Sequence, residues 1–293
     1  MIKLIFFDID GTLRPFETGL VPDSTKKAME RAHSAGIRTA IATGRHWMEI
    51  RNEKLIDKMR FDAFVTLDGE YCYTLDPASS IQRLSVSPSA APDPEDVYFD
   101  PAYGTVVQRI EIPREDIREL LRMIEEEPFP CLFEEERHIY ANMVNADLLQ
   151  VLYDIKTSAP PIEPVSRALD SSIYMLIPVM SDARSRELEQ RLSGCQLVRW
   201  SDGLSFDLTR KGITKVSGVN SILSAYGLDP SECAAVGDGW NDIDMLKHVG
   251  LGIAMGNAKQ ECKDAADFIC PPILEDGLAD AIDHIIALNA SEA

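Results

Sequence analysis

Leu4-Ile5-Phe6-Phe7-Asp8-Ile9-Asp10-Gly11-Thr12-Leu13 sets an apolar run against two carboxylates and a glycine. The run Leu4–Phe7 is apolar at successive positions, so both faces of the strand it forms are buried. The carboxylates stand where that strand opens into a turn. A carboxylate that leaves an apolar strand dry and unpaired is costly. A metal ion or a phosphate-binding environment would offset the cost, so Asp8 and Asp10 mark a reaction centre.

Working outward, strands and helices alternate. Ile2–Phe7 predicts a buried strand, and Pro22–Ala35 a helix with start signals at Pro22, Asp23 and Ser24 and a stop at Gly36. Ile37–Ala42 predicts a second strand, His46–Met59 a second helix and Ala63–Leu67 a third strand. Tyr71–Leu75 and Ile81–Val86 alternate like a hairpin, and Ser87–Pro101 reads as a loop rich in Pro, Ala, Ser and Asp. Between about 106 and 208 the strands are more amphipathic, with helices near Arg114–Glu126, Ala146–Ile155 and Asp182–Leu192. This predicts an α+β module with one exposed sheet face.

After Lys211 the first style returns. Thr214–Tyr226, Asp242–His248 and Leu278–Leu288 predict helices, and Ala234–Val236, Leu251–Ala254 and Phe268–Cys270 strands. The expected fold is α/β: a Rossmann-like parallel sheet core with helices on both faces, interrupted by an inserted α+β domain. The expected division is 1–86 and 209–293 for the core and 87–208 for the insertion.

The 293 residues suit one to two domains, and 45% hydrophobic residues is ordinary for a globular protein. A net charge of −19 argues against nucleic acid and anionic membrane as partners. No apolar stretch approaches the roughly 20 residues of a membrane span. The N-terminus lacks the apolar core and cleavage site of a signal peptide, so the expected location is cytoplasmic. Six cysteines without a CxxC pair predict buried free thiols and no zinc site.

Three further clusters fall at strand ends or helix starts, where open parallel sheets bind ligands. The first cluster pairs Asp8, a carboxylate able to attack phosphorus, with Asp10, able to donate and then accept a proton. Its bland reading is an Asx turn or metal loop. Ala42-Thr43-Gly44-Arg45 offers a hydroxyl, a glycine amide and a helix start to phosphate oxygens; alone it is an ordinary turn. Lys215 could neutralise charge shared by a nucleophile and a phosphoryl group, although a lone lysine is usually surface and Lys211 competes on spacing. Gly237-Asp238-Gly239-Trp240-Asn241-Asp242 supplies carboxylates and an amide to a hard cation such as Mg²⁺; its bland reading is a capped glycine turn.

Taken in order, these clusters resemble the haloacid dehalogenase superfamily of phosphohydrolases, above all its Cof-type branch, whose members carry a class IIB α/β cap. The resemblance covers about 1–75 and 205–293. It extends to Met255-Gly256-Asn257-Ala258, Ala265-Ala266-Asp267 and Glu275-Asp276-Gly277-Leu278. It implies that Asp8 is the nucleophile and a metal ligand. Asp10 would be the general acid/base and bind metal through its main-chain carbonyl. Thr43, Gly44 and Arg45 would bind the substrate's phosphate, and Lys215 would stabilise charge. Asp238 would hold Mg²⁺, while Asn241 and Asp242 would support metal or phosphate and orient Lys215.

The implied function is Mg²⁺-dependent hydrolysis of a small phosphorylated metabolite, a sugar phosphate or a phosphorylated cofactor, by a monomer or weak dimer. A phosphomutase or a binding protein on the same fold are the alternatives. Dehalogenation is disfavoured, because a dehalogenase needs no leaving-group acid such as Asp10. Trp240 is bulky for its place and suits contact with cap or substrate. Arg14 and His46 flank the phosphate clusters, and Arg137, His138, Tyr140 and Asn142 lie on an expected strand of the insertion. The expected place of all six is the surface.

Overall fold

The computed structural model describes residues 1–75, 98–200 and 202–292. The chain forms two compact units, 1–108 with 214–293, and 109–213. The predicted strand Ile81–Val86 lies outside the described residues, as does 87–97 of the predicted loop.

In chain order the larger unit contains β1 (Leu4–Phe7), α1 (Asp23–Ser34), β2 (Arg38–Ala42), α2 (Trp47–Asn52), β3 (Ala63–Thr66), β4 (Tyr71–Leu75) and β5 (Gly104–Arg109). The smaller unit contains α3 (Arg114–Glu126), β6 (Cys131–Glu135), β7 (Ile139–Ala141), α4 (Ala146–Asp154), β8 (Ile173–Pro178), α5 (Asp182–Arg191), β9 (Cys195–Arg199) and β10 (Phe206–Arg210). The larger unit then resumes with α6 (Lys215–Tyr226), β11 (Cys233–Gly237), α7 (Ile243–His248), β12 (Leu251–Ala254), α8 (Gln260–Ala265), β13 (Phe268–Ile269) and α9 (Gly277–Ser291).

The large sheet runs β13-β12-β11-β1-β2-β3-β4-β5. Every pairing from β13 to β3 is parallel, and β4 turns back antiparallel to β3. β1 is central because all four of its residues are apolar: Leu4, Ile5, Phe6 and Phe7 are fully buried. Each contributes about 1.5–3 kcal/mol by that burial. Chain order departs from β1 in two directions, through β2 and β3 on one side and β11 and β12 on the other. This is a topological switch point, and the crevice beyond the strand ends there receives ligands. The register is level: Phe7 pairs with both Ile41 and Val236, so Asp8, Thr43 and Asp238 leave the sheet beside one another.

The smaller unit is an antiparallel sheet, β7-β6-β8-β10-β9. Ile117, Leu120, Met123 and Ile124 of α3 form its core with Phe133, Tyr140, Leu176, Leu188 and Leu208. Their spacing is one apolar stripe of an amphipathic helix. The sheet does not leave a whole face open, as its amphipathic strands had predicted. β8 is buried along its full length, because Ile-Tyr-Met-Leu-Ile-Pro has no alternating charged residue.

Two boundaries differ from expectation. The units divide after residues 108 and 213, later than the expected 86 and 208, because β5 joins the edge of the large sheet. The predicted helix His46–Met59 ends at Asn52, and Lys54 and Asp57 adopt left-handed φ of 54° and 51°. Leu55 and Ile56 are still fully buried, so turns serve the apolar spacing that suggested a longer helix. All six cysteines are free and buried. Among the described residues no helix is long and apolar enough to cross a membrane.

Candidate active site

The loop after β1 folds on itself. The Ile9 carbonyl accepts from the amides of Leu13 and Arg14 at 2.9 and 3.0 Å, and Gly11 donates to the Arg14 carbonyl at 2.8 Å. Gly11 takes φ +89°, and a Cβ there would stand 2.2 Å from Asp238 Oδ2. Only glycine therefore lets the loops after β1 and β11 approach this closely.

Lys215 opens α6 and is 1% exposed. Its Nζ donates to Asp8 Oδ1 at 2.7 Å and to Asp242 Oδ1 at 2.8 Å. Burial alone would lower the Lys215 pKa, but Asp242 and Asp8 raise it above the ordinary lysine range. Lys211, its competitor on spacing, is exposed in the smaller unit. Asp242 Oδ2 accepts from the amides of Asp238 and Gly239, each at 2.9 Å. Asp242 thus ties the loop to Lys215. Asp238 Oδ1 accepts from the Thr12 hydroxyl at 3.1 Å.

One oxygen each from Asp8, Asp238 and Asp242 lies within 4.8 Å of the others. Three carboxylates here face one ammonium. Burial, then the neighbouring carboxylate Asp242, pushes Asp238 up to about 7. Burial also raises Asp8, outweighing Lys215. An all-oxygen donor set with surplus negative charge is the environment a hard divalent cation requires. The residues fit such an ion.

Asp10 has a different environment. Its Oδ1 accepts from Arg14 Nε at 2.9 Å and its Oδ2 from Arg45 Nε at 2.8 Å. Burial would raise its pKa, but Arg45 and Arg14 together hold it below the ordinary value. Arg14 is buried, against its surface expectation, because this ion pair compensates its charge. His46 is buried too. It caps α2, accepting from the Met48 amide at Nδ1 (3.0 Å) while its own amide donates to Glu49 (3.1 Å). Thr43 is buried at the end of β2, with its Oγ1 accepting from the Arg45 amide at 3.1 Å, and Gly44 follows at partial exposure.

Asn241 Nδ2 donates to Asp68 Oδ1 at 3.2 Å. Asp68 is a site residue absent from the four sequence clusters. Its signal was present: Asp68-Gly69 follows the buried strand β3, as Asp10-Gly11 follows β1 and Asp238-Gly239 follows β11. Asn257 was also passed over as an individual residue; its Nδ2 donates to the Gly11 carbonyl at 2.8 Å and its Oδ1 accepts from Ile273 at 2.9 Å, bracing the first loop. Trp240 is 45% exposed, with the Lys259 ammonium 5.4 Å from its ring centroid.

Of Arg137, His138, Tyr140 and Asn142, only Arg137 is exposed. Tyr140 is buried and stacks on Phe133 at 4.9 Å. His138 pairs with Glu163 at 2.7 Å. Asn142 accepts from the Cys131 amide and donates to the Phe129 carbonyl. These contacts are internal to that unit's fold.

The sequence profile of the haloacid dehalogenase-like hydrolases matches residues 5–89 and 97–282. The chain is 28% identical over 284 residues to YkrA of Bacillus subtilis, covering 97% of each. It is 25% identical over 291 residues to 5-amino-6-(5-phospho-D-ribitylamino)uracil phosphatase YcsE of the same organism, covering 97% of this chain and 95% of that one. It is similar in structure to the subclass IIB sugar phosphatase BT4131, at 31% identity and a TM-score of 0.76, over 97% of this chain and 98% of that one. A match over most of both core segments, on a fold whose strand ends gather these four clusters, leaves one assignment: the chain belongs to the haloacid dehalogenase-like hydrolases, among their Cof-type phosphoric monoester hydrolases of subclass IIB.

Proposed function

We propose that this hydrolase is a Mg²⁺-dependent phosphatase of a small phosphorylated metabolite, a sugar phosphate or a phosphorylated cofactor, and that it works through an aspartyl-phosphate on Asp8. The observation that carries the reading is the bridge of Lys215 between Asp8 and Asp242, beside Asp238 and two residues from Asp10. Lys215 occupies only one Asp8 oxygen. Asp8 Oδ2 makes no hydrogen bond among the described residues, so it remains available to attack phosphorus. The substrates of relatives support the class: BT4131 is a sugar phosphatase, and YcsE acts on a phosphorylated ribitylaminouracil.

Asp8 and Asp238, with the Asp10 main-chain carbonyl, would hold the cation. Asp242, which the resemblance implies supports metal or phosphate and orients Lys215, has both its oxygens engaged by hydrogen bonds from Lys215 and two loop amides. We assign it chiefly to positioning. Bound Mg²⁺ would neutralise charge and polarise phosphoryl oxygens. The Thr43 hydroxyl and Gly44 amide would hold the transferring group, and Lys215 would offset charge that builds on it.

Asp8 attacks in line and the ester P–O bond breaks. Asp10 gives a proton to the leaving oxygen, then takes one from the water that attacks the acyl phosphate and frees Asp8. Arg14 and Arg45 hold Asp10 ionised before substrate arrives. An incoming phosphate monoester adds negative charge beside it and so favours the protonated form that the first step needs.

Phosphate release from a panel of phosphorylated sugars, nucleotides and cofactors, with Mg²⁺ and with EDTA, tests the reading. Release that needs Mg²⁺ and disappears in Asp8→Asn is expected. Silence across the panel, or release by Asp8→Asn, would overturn it.

A further inference from the structure

We infer that Asp68 is a positioning residue, which orients the carboxamide of Asn241 so that one of its N–H groups faces the transferring phosphoryl group. The inference rests on the phosphatase reading and deepens it. A carboxylate only accepts, so the Asn241 group 3.2 Å from Asp68 Oδ1 is the NH₂ end. One N–H goes to Asp68 and the other is left to donate. The Asn241 side chain makes no other hydrogen bond to the described residues.

The backbone shows that Asp68 is placed deliberately. Leu67 and Asp68 are consecutive left-handed residues, with φ of 53° and 49°. A leucine in that region is strained, and such strain persists only where the surroundings hold it. The holding contacts lead to the phosphate loop: the Asp68 amide donates to the Thr43 carbonyl at 3.1 Å, and the Leu67 amide to the Arg45 carbonyl at 3.4 Å. Gly69 follows at φ +103°, where a Cβ would meet the Thr214 carbonyl at 2.4 Å. Asp68 is 2% exposed, and its charge helps to raise the Lys215 pKa. One buried residue thus joins the loops after β2 and β11 at the start of α6.

The test compares Asp68→Ala, Asp68→Asn, Asn241→Ala and the double variant Asp68→Ala/Asn241→Ala. Two readings are taken with Mg²⁺ present: kcat and KM on p-nitrophenyl phosphate, and calorimetric affinity for orthovanadate, a mimic of five-coordinate phosphorus. Asp68→Ala should lose about tenfold in kcat/KM and in orthovanadate affinity. Asp68→Asn keeps an acceptor oxygen and should recover to within about threefold of wild type. The double variant should be no worse than Asn241→Ala, because both substitutions remove one function. Should Asp68→Ala not fold, Asp68→Ser, too short to reach Asn241, carries the same test.

Wild-type kinetics and affinity in Asp68→Ala, multiplicative losses in the double variant, or no recovery in Asp68→Asn would overturn the inference alone. A wild-type protein that neither turns over substrate nor binds orthovanadate would overturn the phosphatase reading and the inference with it.

Discussion

Lys215→Ala removes the cation that bonds Asp8 at 2.7 Å and Asp242 at 2.8 Å. The side chain is 1% exposed, so bulk water does not already solvate the carboxylates it leaves. Breaking a buried ion pair from one side costs about 3–5 kcal/mol, because the remaining charge is uncompensated. Two carboxylates share this ammonium and Asp238 stands close by, so the metal-free variant should lose about 4–5 kcal/mol, the upper part of that range. Mg²⁺ should return part of the loss by binding the folded form. Turnover should fall about 10²–10³-fold, the usual effect of removing one preorganised charge-stabilising group. Lys215→Met, which retains the length of the side chain, separates loss of charge from loss of volume. Lys211→Ala is the control on an exposed residue and should change stability by less than about 0.5 kcal/mol. Thermal melting with and without Mg²⁺, together with kcat/KM on one substrate, reads all three variants. Lys211→Ala proving the more damaging, or full activity in Lys215→Ala, would refute the reasoning.

Asp10→Asn should lower kcat about 10²–10⁴-fold, the range for a general acid/base, and steady-state kinetics checks it. It should also lower the melting temperature, because Arg14 and Arg45 lose a buried anionic partner. Stability of the metal-free protein should fall as pH rises from the ordinary Asp value of 3.8 to about 7, because burial and Asp242 make folded Asp238 bind a proton more tightly than the unfolded chain does. Mg²⁺ should flatten that slope in chemical denaturation. Asp10 has the opposite sign: its contribution is present above its unfolded pKa and is lost as pH falls through its lowered folded value. Gly11→Ala should destabilise by about 2 kcal/mol or more, because a Cβ would press on Asp238 in a left-handed turn; urea denaturation checks it.

The sheet and the clusters at Asp8, Thr43 and Asp238 were legible because buried parallel strands leave a plain signature, a short apolar run ending in Asp, Thr or Gly; Lys215, at a helix start, lacked it and competed with Lys211. Leu4–Phe7 and Cys233–Gly237 show it, and they pair in level register. Asp68 carried the same signature in a weaker form, since an Asp-Gly pair also makes an ordinary turn. Only the structure shows that it reaches Asn241. Arg14 was misplaced because charge predicts exposure on average, while its burial depends on Asp10, a partner four residues earlier that already had a role. His138 and Asn142 were read as surface groups because their partners, Glu163 and the backbone at Phe129 and Cys131, come together only in the folded unit.

The central claim is that phosphate passes through Asp8. Rapid acid quench of the Mg²⁺-loaded protein during turnover, followed by peptide mass spectrometry, measures it directly. A phosphoryl group is expected on the peptide that contains Asp8, absent when Asp8 is changed to Asn. Turnover with no phosphopeptide at any quench time, or phosphate on a different residue, would contradict it.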